Sequence, residues 1–273
     1  VRVAIRPRRR RRRRWSRALL YLPSPRFASL AVPEASYEER REIIKEHETY
    51  QKGLLYFIAT DPRVPKDVQD EMNRWGLPKD EFQDNGNFPY RLYVRQGRRI
   101  EGLYTLTESD LHKDLRGDGF RGPLLSESVA IGVYGIDAHR VQGPDSRQEP
   151  TYGKGAAEGT LHLHDATGPY QIPYGTLVPK QHNGILFPVG ISSTHVAICS
   201  VRMEPVWSAL GQAAGVAAAL AINNKQELRD VSVQSIQDEL LRQRCTLFFY
   251  TDLPGDSPAF TAVQKLSLLD AVA

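Results

Sequence analysis

Hydrophobic and polar positions follow two different periods along the chain, and together they predict a mixture of helices and strands. A capping box of Ser36 and Glu39 marks the start of the first helix. The predicted helices span about 37–52, 64–75, 205–223 and 232–243. The predicted strands span about 90–95, 100–106, 127–135, 159–164, 170–178, 185–190 and 194–199. The fold class is therefore expected to lie between α/β and α+β.

The composition is that of an ordinary folded protein with a basic start. Hydrophobic residues make up 41% and charged residues 25% of the chain. Nine arginines lie in residues 1–14, and subtracting them from the net charge of +4 leaves −5 for the remainder. The basicity thus belongs to a tail, residues 1–36, that we expect to be disordered. No aromatic or β-rich platform accompanies it, so nucleic acid is not an expected partner.

Other compositional features limit the possible functions. Cys199 and Cys245 supply neither a disulfide framework nor the four thiolates of a cluster site. No apolar run is long enough to indicate a membrane span. The oligomeric state and the localisation, cytoplasmic or exported, stay open.

The segment from 183 to 219 has the most informative pattern. An apolar strand ends at Gly190, which lets another backbone or a flat ligand come close. Pro205 fits the first turn of the following helix, whose N–H groups favour an anion or an electron-rich ring. Gly211, Gly215 and Ala219 are spaced four apart, so one bare helix face is expected to pack tightly onto a neighbouring backbone. An ordinary buried strand and helix fit this pattern equally well.

Three runs in this region carry a family resemblance: Ile191-Ser-Ser-Thr-His-Val-Ala, Val201-Arg-Met-Glu-Pro-Val-Trp and Leu210-Gly-Gln-Ala-Ala-Gly. They resemble the closing flavin-binding segment of the FAD-dependent oxidoreductase family, which is related to the flavoprotein subunit of heterodisulfide reductase. Further segments match in family order between about 37 and 243, including Arg74-Trp-Gly-Leu-Pro-Lys-Asp-Glu-Phe. The resemblance implies FAD as cofactor and hydride transfer to it from a small-molecule substrate. The alternative is a non-catalytic interaction or structural domain that no longer binds flavin.

The resemblance also implies a segment that this sequence does not show. Such proteins begin with a strand, a Gly-rich turn and a helix that hold the FAD pyrophosphate. The G-x-G-x-x-G at Gly117, Gly119 and Gly122 follows polar residues and precedes a proline, so it predicts a surface loop. We therefore expect the C-terminal portion of a longer flavoprotein, inactive by itself. Its expected parts are a mixed-sheet substrate domain (37–182), the closing strand and helix of a Rossmann-like FAD domain (183–243) and a C-terminal extension (244–273).

The candidate site residues follow from the resemblance and from side-chain chemistry. The flavin contacts implied by the resemblance are Gly190, Ile191, Ser192, Ser193, Thr194, Arg202, Met203 and Gly211. Arg98 and Arg99, at a predicted turn between strands, suit a substrate carboxylate or phosphate, although a solvated surface pair is an equal alternative. His139 beside Asp137 suits a general base. His195 is placed to hydrogen-bond the flavin ring or the substrate.

A metal site is the last chemistry considered. His162 and His164 share a strand face, a spacing compatible with two metal ligands. The sequence indicates no third ligand, so we expect exposed strand histidines and no metal.

Overall fold

The computed structural model describes residues 32–94, 97–138 and 161–272. They form two compact units, divided between positions 95 and 96. Residues 1–31 of the basic tail and His139 lie outside the described residues. The assignment of 37–182 to a substrate domain and 183–243 to a flavin domain stays a prediction.

Among its described residues, the first unit contains two α-helices, α1 (Tyr37–Thr60) and α2 (Lys66–Met72). The predicted capping box is confirmed: the Ser36 hydroxyl accepts from the Glu39 N–H at 3.2 Å, and the Glu39 carboxylate accepts from the Ser36 N–H at 2.7 Å. Helix α1 is longer than predicted and α2 is shorter. Asn73, at the end of α2, donates from its amide to the Ala59 carbonyl at 2.9 Å and so ties α2 to α1. The strand predicted at 90–95 is wrong over its described residues.

The second unit combines four helices with two small antiparallel sheets among its described residues. The helices are α3 (His195–Val201), α4 (Glu204–Asn224), α5 (Val233–Arg242) and α6 (Phe260–Leu268). The strands are β1 (Ser128–Gly132), β2 (Ile136–Ala138), β3 (Leu161–Leu163) and β4 (Tyr170–Pro173). Strand β1 pairs with β4, and β2 pairs with β3. The mixture of helices and sheets is consistent with the predicted α/β or α+β class.

Helix α4 is the central helix of this unit and packs against β1 and α5. Its buried residues are Val206, Leu210, Ala213, Val216, Ala217 and Ala221. Within the described chain it is the one helix long and apolar enough to cross a membrane, and 33% of its apolar stretch is buried. The predicted tight packing of the Gly211, Gly215 and Ala219 face is wrong, because this face is exposed and a Cβ at either glycine would meet nothing within 4 Å among the described residues.

The C-terminal extension belongs to the same core, although no helix was predicted in it. Phe260 of α6 is 2% exposed. The buried amide of Gln264 accepts from the N–H groups of Leu247 and Phe248, each at 2.8 Å, and donates to the Phe248 carbonyl at 2.7 Å. These bonds fix the turn after α5 against α6.

Candidate functional site

The segment predicted to bind flavin is irregular before residue 195 and helical after it. Residues 185–190 form no strand, so that prediction is wrong. The strand predicted at 194–199 is also wrong, because α3 begins at His195. The Thr194 hydroxyl accepts from the Ala197 N–H at 3.2 Å, which is an N-cap interaction. Local capping therefore overrides the strand propensity of the β-branched residues that follow.

Residues 190–194 run beside residues 100–106. The Ile100 N–H donates to the Gly190 carbonyl at 3.0 Å, and the Leu106 N–H donates to the Ser192 carbonyl at 3.0 Å. In return, the Thr194 N–H donates to the Leu106 carbonyl at 2.9 Å. Residues 100–106 were predicted as a strand, but the structure shows only isolated bridges there, at Gly102 and Leu106. The two segments are nonetheless fixed against each other by backbone bonds.

This pairing brings the two predicted arginines to the predicted flavin segment. The Nε of Arg99 donates to the Ser193 carbonyl at 3.0 Å. Arg99 is half-buried and Arg98 is exposed. A Cβ at Gly190 would lie 3.3 Å from the Arg98 carbonyl, which confirms the expected close approach of a second backbone at this glycine. The Arg99 guanidinium thus lies directly beside residues 190–194.

Only one of the three predicted flavin-binding hydroxyls is uncommitted among the described residues. The Ser192 hydroxyl lies 3.0 Å from that of Thr105, and the Thr194 hydroxyl caps α3. The Ser193 hydroxyl is buried and has no hydrogen-bond partner in the described part of the chain. Buried polar groups are almost always hydrogen-bonded, so the Ser193 hydroxyl is the exception among the three.

The other predicted flavin contacts are more dispersed. Ile191 is fully buried, so its side chain serves the core. His195 is the exposed first residue of α3. Met203 is the N-cap of α4, and Gly211 lies further along that helix on its exposed face.

Arg202 is buried against Asp137. Its side chain is 5% exposed, and its terminal nitrogen lies 3.6 Å from Asp137 Oδ2 and 3.2 Å from the Asp137 carbonyl oxygen. The acidic partner of Arg202 in the structure is thus Asp137. This pair neutralises much of the charge that Arg202 would otherwise present to a ligand.

Asp137 also meets a histidine that the sequence did not connect with it. In the β2–β3 pair, Asp137 lies directly opposite His162, and its Oδ1 is 3.0 Å from His162 Nδ1. His164 belongs to the same cluster. The pairing of Asp137 with His139 falls outside the described residues. No local signal indicates the contact with His162, because it depends on the register of two strands far apart in sequence.

A buried carboxylate shapes the loop that carries the 100–106 segment. Asp110 is 1% exposed and accepts from the N–H and hydroxyl of Thr107 at 2.8 and 2.9 Å, and from the Tyr104 hydroxyl at 3.0 Å. Burial, with the nearby Asp110 charge, raises the pKa of Tyr104 to about 12. The phenol is therefore a neutral donor at physiological pH, and its role is to hold this loop.

The predicted surface loop at the G-x-G-x-x-G is confirmed. Gly117 and Gly119 lie in bends and Gly122 in irregular backbone, with neither a strand before them nor a helix after them. The carboxylate of Asp118 accepts from the N–H groups of Phe120 and Arg121 at 2.9 and 2.6 Å and so occupies the donors of this loop. These glycines do not form a pyrophosphate site.

Comparison with known proteins indicates a flavin-dependent redox function for the chain. The sequence matches the family of FAD dependent oxidoreductases over residues 4–240. The chain therefore belongs to the FAD-dependent oxidoreductase family. FAD is the cofactor that this membership implies. No curated protein matches the chain, and no solved structure matches it.

Proposed function

We propose that this chain belongs to an oxidoreductase in which a small molecule passes a hydride to FAD. In this enzyme the chain would bind the substrate and contact one edge of the flavin ring. The observation that carries the proposal is the contact of Arg99 with Ser193, which joins the basic pair to residues 190–194 of a family-matched chain. When bound, FAD supplies the electron-accepting chemistry, and the protein binds and orients the reactants.

The residues at this position fit such a group. Ser193 has a buried hydroxyl without a partner in the described chain, and a hydroxyl can donate to a carbonyl or accept from an N–H of a flavin ring. The Nε of Arg99 is engaged by Ser193, and the NH1/NH2 edge of the guanidinium suits a carboxylate or phosphate. Arg98 adds a second positive charge beside it. The proposed substrate is therefore a small anionic molecule.

The proton-handling groups are proposed from their side-chain chemistry and their position. His195 is exposed at the start of α3, one residue beyond the 190–194 segment, and is proposed to contact the ring or the substrate. His139 is retained as a proposed general base from its chemistry alone. Arg202 is proposed to influence the flavin through its remaining charge, reduced by Asp137, and not through a direct bond.

The pyrophosphate cradle is proposed to lie outside the described residues. Among these residues no strand leads through a Gly-rich turn into a helix, the arrangement that holds a dinucleotide pyrophosphate. Residues 183–243 would then be the closing part of a Rossmann-like FAD domain, in a protein related to the heterodisulfide reductase flavoprotein and extending beyond this portion.

Titrating the chain with riboflavin, FMN and FAD tests this proposal. If the chain holds the ring but not the pyrophosphate, the three dissociation constants should agree within about threefold. FAD binding that is about 100-fold tighter than riboflavin binding would place a pyrophosphate cradle in this chain. Absence of binding by all three flavins would contradict the proposed flavin edge and favour the alternative, a domain without flavin.

A further inference from the structure

A cluster of two histidines and one carboxylate lies on one face of the β2–β3 sheet. Asp137 is opposite His162 in the antiparallel register, and His164 follows His162 by two residues, so the three side chains share a face. One ligand atom from each residue lies within 4.8 Å of the others. The cluster lies outside the proposed flavin contacts, apart from the contact of Arg202 with Asp137.

The spacing suits a metal ion with only small side-chain movements. Zinc bound to nitrogen and oxygen ligands at its usual bond lengths holds neighbouring ligand atoms about 3.3 Å apart in a tetrahedron. Asp137 Oδ1 and His162 Nδ1 are already 3.0 Å apart. The rings of His162 and His164 are nearly parallel, with centroids 6.1 Å apart. The His162 side chain is 53% exposed, so it can rotate toward a shared ion without disturbing the core.

The Asp137 carboxylate is oriented by contacts to its second oxygen, Oδ2, as ligating carboxylates are in metal sites. Asp137 is 13% exposed, and its Oδ2 lies 3.3 Å from the Tyr134 hydroxyl and 3.6 Å from the Arg202 guanidinium. Both contacts fall on Oδ2, so Oδ1 faces the histidines. The Arg202 charge opposes a cation, which lowers the affinity expected of the site below that of a structural zinc site.

The position of His164 depends on a glycine. A Cβ at Gly135 would lie 2.2 Å from His164 Nδ1, so any other residue there would displace the imidazole. The Tyr134 ring meets the His164 ring edge-on, with centroids 5.9 Å apart. Gly135 and Tyr134, which directly precede β2, therefore leave room for the His164 ring and orient it.

We propose that Asp137, His162 and His164 bind one zinc-class divalent ion, with the remaining coordination positions open to water or another small ligand. Two imidazoles and one carboxylate suit Zn²⁺, Co²⁺, Ni²⁺ or Cu²⁺, whereas Mg²⁺ and Ca²⁺ prefer oxygen ligands alone. A three-ligand site with an open position is typical of ions that act on a bound molecule. The site binds independently of the flavin.

The test uses the chain without any histidine tag, stripped with a chelator and titrated calorimetrically with ZnSO₄. The expected result is one ion per chain, with the affinity lowered at least about tenfold in His162→Ala and in His164→Ala. His182→Ala, an exposed histidine elsewhere in the unit, is the matched control and should bind like the wild type.

A second measurement separates loss of the site from loss of the fold. Co²⁺ bound by the wild type should give visible d–d absorption, which His164→Ala should lose while its circular dichroism stays that of the wild type. Equal Zn²⁺ affinity in all four proteins would overturn the proposal. So would several weak ions per chain, since adventitious surface binding would then account for the signal.

Discussion

The Nε of Arg99 donates a 3.0 Å hydrogen bond to the backbone carbonyl of Ser193, a residue 94 positions later in the chain. Each residue belongs to a segment with a separate sequence-based prediction, one for substrate binding and one for flavin binding. Their contact joins the two segments and is the observation on which the proposed function rests.

Replacing Arg99 by alanine should lower the free energy of unfolding by about 1–2 kcal/mol, because a half-buried carbonyl loses a charged donor. Arg99→Lys should not restore it, since lysine has no N–H at the Nε position. Urea unfolding measures the free energy of unfolding of both variants. The control is Lys180→Ala, which removes an exposed cation and should stay within about 0.5 kcal/mol of the wild type. An Arg99→Ala effect no larger than that of the control would remove the structural role of this bond.

The adjacent serines should behave oppositely. Ser192→Ala removes the hydroxyl contact with Thr105 and should lower the free energy of unfolding by about 1 kcal/mol. Ser193→Ala removes a buried hydroxyl without a partner in the described chain, so the free energy of unfolding should be unchanged or slightly higher. Flavin affinity should fall about fivefold in Ser193→Ala, the loss expected of one modest hydrogen bond. If Ser193→Ala binds flavin like the wild type, Ser193 is not a flavin contact.

Two glycines form a second matched pair. Gly190→Ala places a Cβ 3.3 Å from the Arg98 carbonyl, so we expect a loss of about 1 kcal/mol and a larger loss for Gly190→Val. Gly211→Ala on the exposed face of α4 meets nothing within 4 Å among the described residues and should add about 0.5–1 kcal/mol. The midpoints of urea unfolding of the variants, compared with that of the wild type, test both predictions. A stabilising Gly190→Ala would mean that residues 98–100 do not approach this glycine closely.

Alkaline pH should destabilise the second unit in a defined window. Burial raises the pKa of Tyr174 to about 12, and its hydroxyl donates to the Leu228 carbonyl at 2.8 Å. The unfolded phenol, with its ordinary pKa of about 10, loses its proton first, so the folded state binds more protons between about pH 10 and 12. The stability that this neutral phenol contributes is fully present below pH 10 and is lost as the pH rises toward 12.

The Tyr174→Phe variant tests the predicted direction of this pH dependence. The variant should be less stable than the wild type at pH 8, having lost a hydrogen bond of about 1 kcal/mol. Its free energy of unfolding should then fall less steeply between pH 10 and 12 than that of the wild type. If the free energy of unfolding falls equally steeply with pH in the two proteins, the pKa of Tyr174 is not raised in the folded state.

Local sequence signals predicted the parts of the fold that depend on local chemistry. The Ser36–Glu39 capping box, the Pro205 helix start and the last predicted helix all match the structure. The errors arose where tertiary contacts decide. The cap at Thr194 turned an apolar β-branched run into a helix, and α6 depends on Gln264 bonding to a distant turn.

The sequence selected residues for the candidate site by type but did not predict their arrangement. The family resemblance selected residues 190–194, and side-chain chemistry selected Arg98 and Arg99. Neither indicates that Arg99 bonds to Ser193, that Arg202 is buried against Asp137, or that Asp137 faces His162. Each of these contacts depends on segments brought together by folding, which a local pattern does not encode.

Amide hydrogen exchange measured by mass spectrometry tests the central claim most directly, namely that residues 98–100 and 190–194 form one flavin edge. The chain is compared with and without FAD, at a concentration well above the dissociation constant found by titration. The account predicts slower exchange in peptides covering both segments, with no change in α2 of the other unit. Slower exchange confined to other peptides, or exchange in both segments unchanged by bound FAD, would contradict it.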